Sequence, residues 1–163
     1  MRLASFICFY LAISLNSLVN AAVSQAPDLN LPTKNGEMNL NDFIGRVVYL
    51  DFWASWCKPC VKSFPWMQTL QDSYRDQGLE VIAINLDKDR ALAEAFLKKM
   101  NVDFIVAFDE LGDSAKDYQL KGMPTSYLID RDGNLVATHI GFRTKDKPKL
   151  EQVVQQLLSQ IKN

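Results

Sequence analysis

The chain has 163 residues, 48% hydrophobic and 23% charged, with 18 Lys and Arg against 19 Asp and Glu. That balance describes a folded globular domain, too apolar and too evenly charged to stay disordered, and a net charge of −1 supplies no basic field for nucleic acid. Three cysteines and one histidine are too few for a disulfide-stapled scaffold or a four-ligand zinc site.

Met1-Arg2 is a short positive start, Leu3 to Leu15 is apolar, and Ala21-Ala22 supplies small residues. This is the pattern of a secretory signal, and the apolar run is shorter than the roughly 20 residues a spanning helix needs. The expectation is a signal peptide over 1–22, cleaved near Ala21 or Ala22, and one exported domain over 23–163. The natural destination is the bacterial periplasm. An uncleaved anchor, extended through Leu18 and Val19, is the alternative. Cleavage removes Cys8 and leaves Cys57 and Cys60 as the only cysteines.

Leu29, Leu31 and Leu40 flank the turn signal Thr33-Lys-Asn-Gly36, which predicts an N-terminal β-hairpin. Arg46 to Trp53 is β-branched and aromatic, as suits a central strand covered on both faces. A helix should start around Cys57 and reach about Gln77, with Pro59 tolerated in its first turn, Pro65 kinking it and Gly78 closing it. Leu79 to Leu86 reads as a second buried strand. Asp87 and Asp89 offer N-caps for a helix through Leu92, Phe96, Leu97 and Met100. A strand over Phe104 to Phe108 and a short helix over Gly112 to Leu120 follow. Ser126 to Ile129 and Leu135 to Ile140 flank the turn Asp130-Arg-Asp-Gly133. Leu150, Val153, Val154, Leu157, Leu158 and Ile161 form one stripe of a terminal amphipathic helix. The order is an α/β sandwich with a mixed sheet.

Cys57-Lys58-Pro59-Cys60 is the first chemical motif. A bare C-x-x-C serves zinc, haem attachment or redox exchange. Zinc lacks further ligands, and haem attachment lacks a His after Cys60, where Val61 stands. Redox exchange wants a strand leading into a helix whose first turn carries the pair, and that context is present. The helix N-terminus and Lys58 both favour a Cys57 thiolate. Cys57 should therefore be the exposed, attacking thiol and Cys60, one turn deeper, the resolving one. A staple across so short a loop removes little chain entropy, so exchange chemistry is the better reason for the pair.

Asp51 sits inside an apolar strand, on the face opposite Leu50 and Phe52. Buried there, its pKa would rise and it could take the Cys60 proton; at an open strand edge it would simply be solvated. Pro124, in Gly122-Met123-Pro124-Thr125, is a candidate for a cis bond, with a plain trans turn as the alternative. A cis turn would leave the Met123 backbone free to pair with an extended substrate. Trp56 should shield the nucleophile and contact substrate, Phe64 and Trp66 should pack, and His139 should face solvent.

Asp51 to Cys60 closely resembles the thioredoxin active site, with Asp51 at the buried acid, Cys57 and Cys60 at the dithiol and Pro124 at the cis-proline. The extra helix and strand over 89–108, and the segments 26–33 and 122–133, resemble the TlpA/ResA-like branch of exported thiol–disulfide oxidoreductases. The resemblance implies a thioredoxin-like fold with an N-terminal hairpin and a helix–strand insertion. It implies reduction of disulfides in client proteins, with no cofactor or metal expected; because no soluble nicotinamide supply exists outside the cytosol, the electrons of an exported protein should come from a membrane thiol transporter. Two residues depart from the pattern. Many members have a neutral residue at Asp51, and ResA-type members have a Glu where Ser63 stands. The missing His between the cysteines, a residue that DsbA-like oxidising sites carry, favours the reducing direction, while Lys58 works against it and leaves the poise open. Two other classes fit the motifs less well. A peroxiredoxin-type thiol peroxidase would want Pro and Thr before the cysteine, where Ala54-Ser55-Trp56 lie. A copper chaperone would use Cys57 and Cys60 for Cu(I) but wants a further His or Met ligand.

Overall fold

The computed structural model describes residues 24–160. The expected signal segment lies outside them. The described strands are β1 (Ser24–Gln25), β2 (Asn30–Thr33), β3 (Gly36–Asn39), β4 (Val47–Trp53), β5 (Leu79–Asn85), β6 (Ile105–Phe108), β7 (Thr125–Ile129) and β8 (Asn134–Ile140). The helices are α1 (Lys58–Tyr74), α2 (Arg90–Leu97), α3 (Asp113–Asp117) and α4 (Lys147–Ser159). The strands form one mixed sheet in the order β1-β8-β7-β4-β5-β6-β2-β3. Here β4, β5 and β6 run parallel, and β7 lies antiparallel to β4.

Every residue of β4 is buried, which explains why the run shows no polar alternation. Its side chains divide by parity. Val47, Tyr49 and Trp53 join Phe64, Trp66, Met67 and Leu70 of α1 and Leu150, Val154 and Leu157 of α4. Val48, Leu50 and Phe52 join Leu29, Met38, Leu40 and Tyr118 on the other face. The sheet thus has α1, α2 and α4 on one side and α3 on the other.

Helix α1 runs through Pro65 as one element and passes into a 3-10 turn over Arg75–Gln77. Gly78 ends that turn at φ 96°, and a Cβ there would lie 2.8 Å from the Arg131 guanidinium. The left-handed backbone requires glycine, and a Cβ would also displace Arg131, which donates to Gly45 O at 2.7 Å and Gln77 O at 3.0 Å. The two-residue β1, paired with β8, carries no periodicity and is not visible in the sequence. The hairpin is where the turn signal places it. It also joins the sheet through Thr33 and Ala107, which the sequence does not reveal.

His139 corrects the expectation of a solvent-facing side chain. Its side chain is 24% exposed and its Nε2 lies 3.5 Å from Asp146 Oδ2. β8 does alternate, but Val136 and Ile140 take the exposed positions. The carboxylate before α4 gives the imidazole a polar partner on the inner face, so the histidine goes in and two aliphatic residues face out.

Candidate active site

Strand β4 ends at Trp53, and four residues lead into α1. Cys57 is the N-cap of α1, with Pro59 in the first turn. Its Sγ accepts the Cys60 N–H at 3.4 Å, and its carbonyl accepts Val61 N–H at 3.2 Å. Cys57 and Cys60 are joined as a disulfide. The first sulfur is less open than the sequence suggests. Cys57 is only 5% exposed because it packs into the α1-side cluster, while Cys60 is fully covered. The depth order still holds. Trp56 stands out beside them, 67% exposed, and Lys58 is exposed on the helix tip. Phe64 packs edge-on against Trp53, with ring centroids 4.7 Å apart, and Trp66 against Tyr49 at 5.6 Å. Both are core residues, as expected.

Asp51 is fully buried between Tyr49 and Trp53 on the α1 side of β4. Burial pushes its carboxyl from an ordinary 3.8 up to about 7, against the opposing pull of a Ser126 hydrogen bond. Ser126 is its cross-strand partner on β7, and the Ser126 hydroxyl donates to Asp51 Oδ1 at 2.6 Å. The open strand edge is therefore excluded. Burial first, then the neighbouring Asp51 charge, also hold the Tyr49 phenol well above its usual range.

The Met123–Pro124 peptide bond is cis. Thr125 is paired with Phe52, so residues 123–124 lie opposite the end of β4 that leads to Cys57. Met123 packs against the cluster that holds both cysteines. Gly141 N–H donates to Pro124 O at 2.7 Å and fixes the turn from the β8 side. Ser63, at the position of the ResA-type acid, is buried and donates to Cys60 O at 2.8 Å.

Asp87 is not the helix cap that its place before α2 predicts. The cap of α2 is Asp89, whose carboxylate accepts Ala91 N–H at 3.0 Å. Asp87 instead lies buried beneath the loop before Cys57. It accepts the Ser55 N–H at 2.8 Å, the Ser55 hydroxyl at 2.9 Å and the Asn85 amide at 2.8 Å. The one available signal was a polar pair, Asn85 and Asp87, at the end of a buried strand. Asp87→Ala orphans three donors around the loop that presents Cys57. The oxidised protein should lose about 3 kcal/mol in urea unfolding; a change within about 0.5 kcal/mol would mean that Asp87 does not hold the loop.

A disulfide at a helix tip, above a buried acid and opposite a cis-proline turn of a mixed sheet, defines a thiol–disulfide oxidoreductase. The comparisons agree. Residues 21–154 match the Redoxin family, so the chain belongs to that family. It is 36% identical to the thiol-disulfide oxidoreductase ResA of Bacillus thuringiensis subsp. konkukian over 134 residues, covering 82% of this chain and 76% of that protein. It is 39% identical to the thioredoxin-like protein YneN of Bacillus subtilis over 125 residues, covering 74% and 72%. A crystal structure from Chlorobium tepidum, described as a thiol:disulfide interchange protein DsbE, superposes with a TM-score of 0.82 at 49% identity, covering 83% of this chain and 96% of that one. The fold is thioredoxin-like, and the chain is a ResA/TlpA-like member of the thioredoxin superfamily.

Proposed function

We propose that the chain is exported to the periplasm, loses residues 1–22, and reduces disulfides in client proteins. The Cys57 thiolate attacks a client disulfide, forms a mixed disulfide and releases one client thiolate. Cys60, deprotonated by Asp51, then attacks Cys57 Sγ. The Cys57–Cys60 bond forms, and the second client thiolate leaves with the electron pair. Trp56, Met123 and Pro124 form the face that meets the client, with the Met123 backbone pairing with an extended segment. Lys58 adds positive potential at the attacking sulfur. A reduced dithiol of a membrane thiol transporter restores the pair by the reverse exchange.

The observation that carries this reading is Cys57 as the N-cap of α1, its sulfur facing the Cys60 N–H at 3.4 Å. Helix amides and their dipole stabilise a thiolate at that place. The names of the relatives support disulfide exchange, and the pattern of residues 1–22 supports export. Among the described residues no helix is long and apolar enough to cross a membrane.

The direction is tested by equilibrating the Cys57–Cys60 pair with glutathione redox buffers. A reductase should sit near the thioredoxin end of the scale, about −270 to −200 mV. A potential near about −120 mV, the strongly oxidising end, would overturn the reductase assignment.

A further inference from the structure

The hydrogen bonds around Asp51 have a direction. The Tyr49 hydroxyl donates to Ser126 Oγ at 2.6 Å, and the Ser126 hydroxyl donates to Asp51 Oδ1 at 2.6 Å. All three side chains are buried. Tyrosine and serine each carry one hydroxyl proton. The ionised carboxylate can only accept, so with Asp51 as the base Ser126 donates to Oδ1, and the Tyr49 hydroxyl, whose only hydrogen-bond partner among the described residues is Ser126, donates to Ser126 in turn. The second oxygen, Asp51 Oδ2, is just as buried and has no hydrogen-bond partner among the described residues.

We propose that Ser126, held by Tyr49, is a positioning residue for the resolving step: it reserves Oδ1 of Asp51 as an acceptor and leaves Oδ2 as the atom that takes the Cys60 proton. This rests on the assignment of Asp51 as the base under Proposed function. In that step Cys60–SH gives its proton to Oδ2. The thiolate attacks Cys57 Sγ, the Cys57–client bond breaks, and the leaving client thiolate takes up the proton.

The surroundings leave the task to this chain of hydroxyls. Across β4, Asp51 faces Ala83 of β5 on one side and Ser126 on the other. The next residue in that row is His139 of β8, 3.5 Å from Asp146, which in turn pairs with Arg143 at 2.9 Å. On that face of the sheet Ala83 belongs to the apolar cluster that also holds Cys57, Cys60 and Trp66, Ala93 of α2, and Leu150, Val154 and Leu157 of α4. His139 is the one titratable side chain in the row besides Asp51 itself.

The test uses Ser126→Ala, Ser126→Thr and Tyr49→Phe, with Asp51→Asn as reference. The Asp51 carboxyl band, recognised by its loss in Asp51→Asn, is followed by infrared spectroscopy against pH in the oxidised protein. The second thiol release from a chromogenic aromatic disulfide reports the resolving step in the reduced protein. A hydroxyl donated to a carboxylate lowers its pKa. Ser126→Ala should therefore raise the carboxyl midpoint by about one pH unit, roughly a tenfold loss of the base form below that midpoint. The pH profile of the resolving step should move with it. Tyr49→Phe should shift both the same way by less, and Ser126→Thr should restore both. An infrared midpoint in Ser126→Ala equal to that of the parent overturns the proposal while leaving Asp51 as the base. A resolving step of normal rate in Asp51→Asn overturns the assignment of the base, and the proposal with it.

Discussion

Cys57→Ser is expected to bring insulin-disulfide reduction down to the uncatalysed rate, whereas Cys60→Ser should complete one half-reaction and stop with the client attached. The asymmetry follows from position. Cys57 caps α1 and keeps the accessible surface of the pair, so it meets the client first; Cys60 is fully covered and can only follow. Serine is itself a good N-cap, so Cys57→Ser should preserve the helix start and remove only the nucleophile. Losing the staple is tolerable, because a loop this short contributes only about 2 kcal/mol through chain entropy. Far-ultraviolet circular dichroism should match the parent for both variants. Non-reducing gels should show a client adduct with Cys60→Ser that dithiothreitol releases, and none with Cys57→Ser. An adduct formed through Cys60 in the Cys57→Ser protein would reverse the two roles.

The parts of this site that could be read in the sequence are those carried by short-range pattern. The unbroken run over 46–53 predicts a doubly covered strand, and its parity puts Asp51 with Trp53, away from Leu50 and Phe52, as found. The C-x-x-C spacing needs only one helical turn, so its geometry is local, and the cis-proline turn is a four-residue motif. What was not legible depends on long-range register. Ser126 lies 75 residues from Asp51, and nothing in Thr125-Ser126-Tyr127 marks it as the partner of a carboxylate; only the β4–β7 pairing does. Asp87 reaches Ser55 across 32 residues, and local propensity pointed it to a helix cap instead. The inward turn of His139 is hidden for the same reason. Alternation in β8 was visible, but which face of it turns inward is set by the pairing of Ser126 with His139. Ser63, where ResA-type members carry a Glu, is the local counter-case: its bond to the Cys60 carbonyl spans only three residues within α1.

Asp51→Asn should stabilise the oxidised protein, and the gain should depend on pH in a way no packing change imitates. The unfolded carboxyl ionises near 3.8, while the folded one keeps its proton up to about 7. Between those values the folded state binds more protons than the unfolded state, so stability falls as pH rises from about 4 to about 7 and stays low above that. The ionised carboxylate thus costs the fold up to about 4 kcal/mol at pH 8. Asparagine has the same shape and no charge. Its carbonyl can accept the Ser126 hydroxyl, but its amide lies where Oδ2 has no partner, which returns about 1–3 kcal/mol. The net gain should be about 1–3 kcal/mol at pH 8, turning into a net loss of about 0.5–2.5 kcal/mol near pH 4. Urea unfolding of the oxidised parent and variant across that range measures it. The same substitution removes the base, so the resolving step in the reduced protein should slow by about 100-fold or more and lose its inflection near 7. More stability with less turnover, both keyed to one ionisation, is the pattern expected of a group kept for chemistry at the expense of the fold. A stability difference that is flat from pH 4 to pH 8 would mean that Asp51 ionises in the ordinary carboxylate range and is not the base.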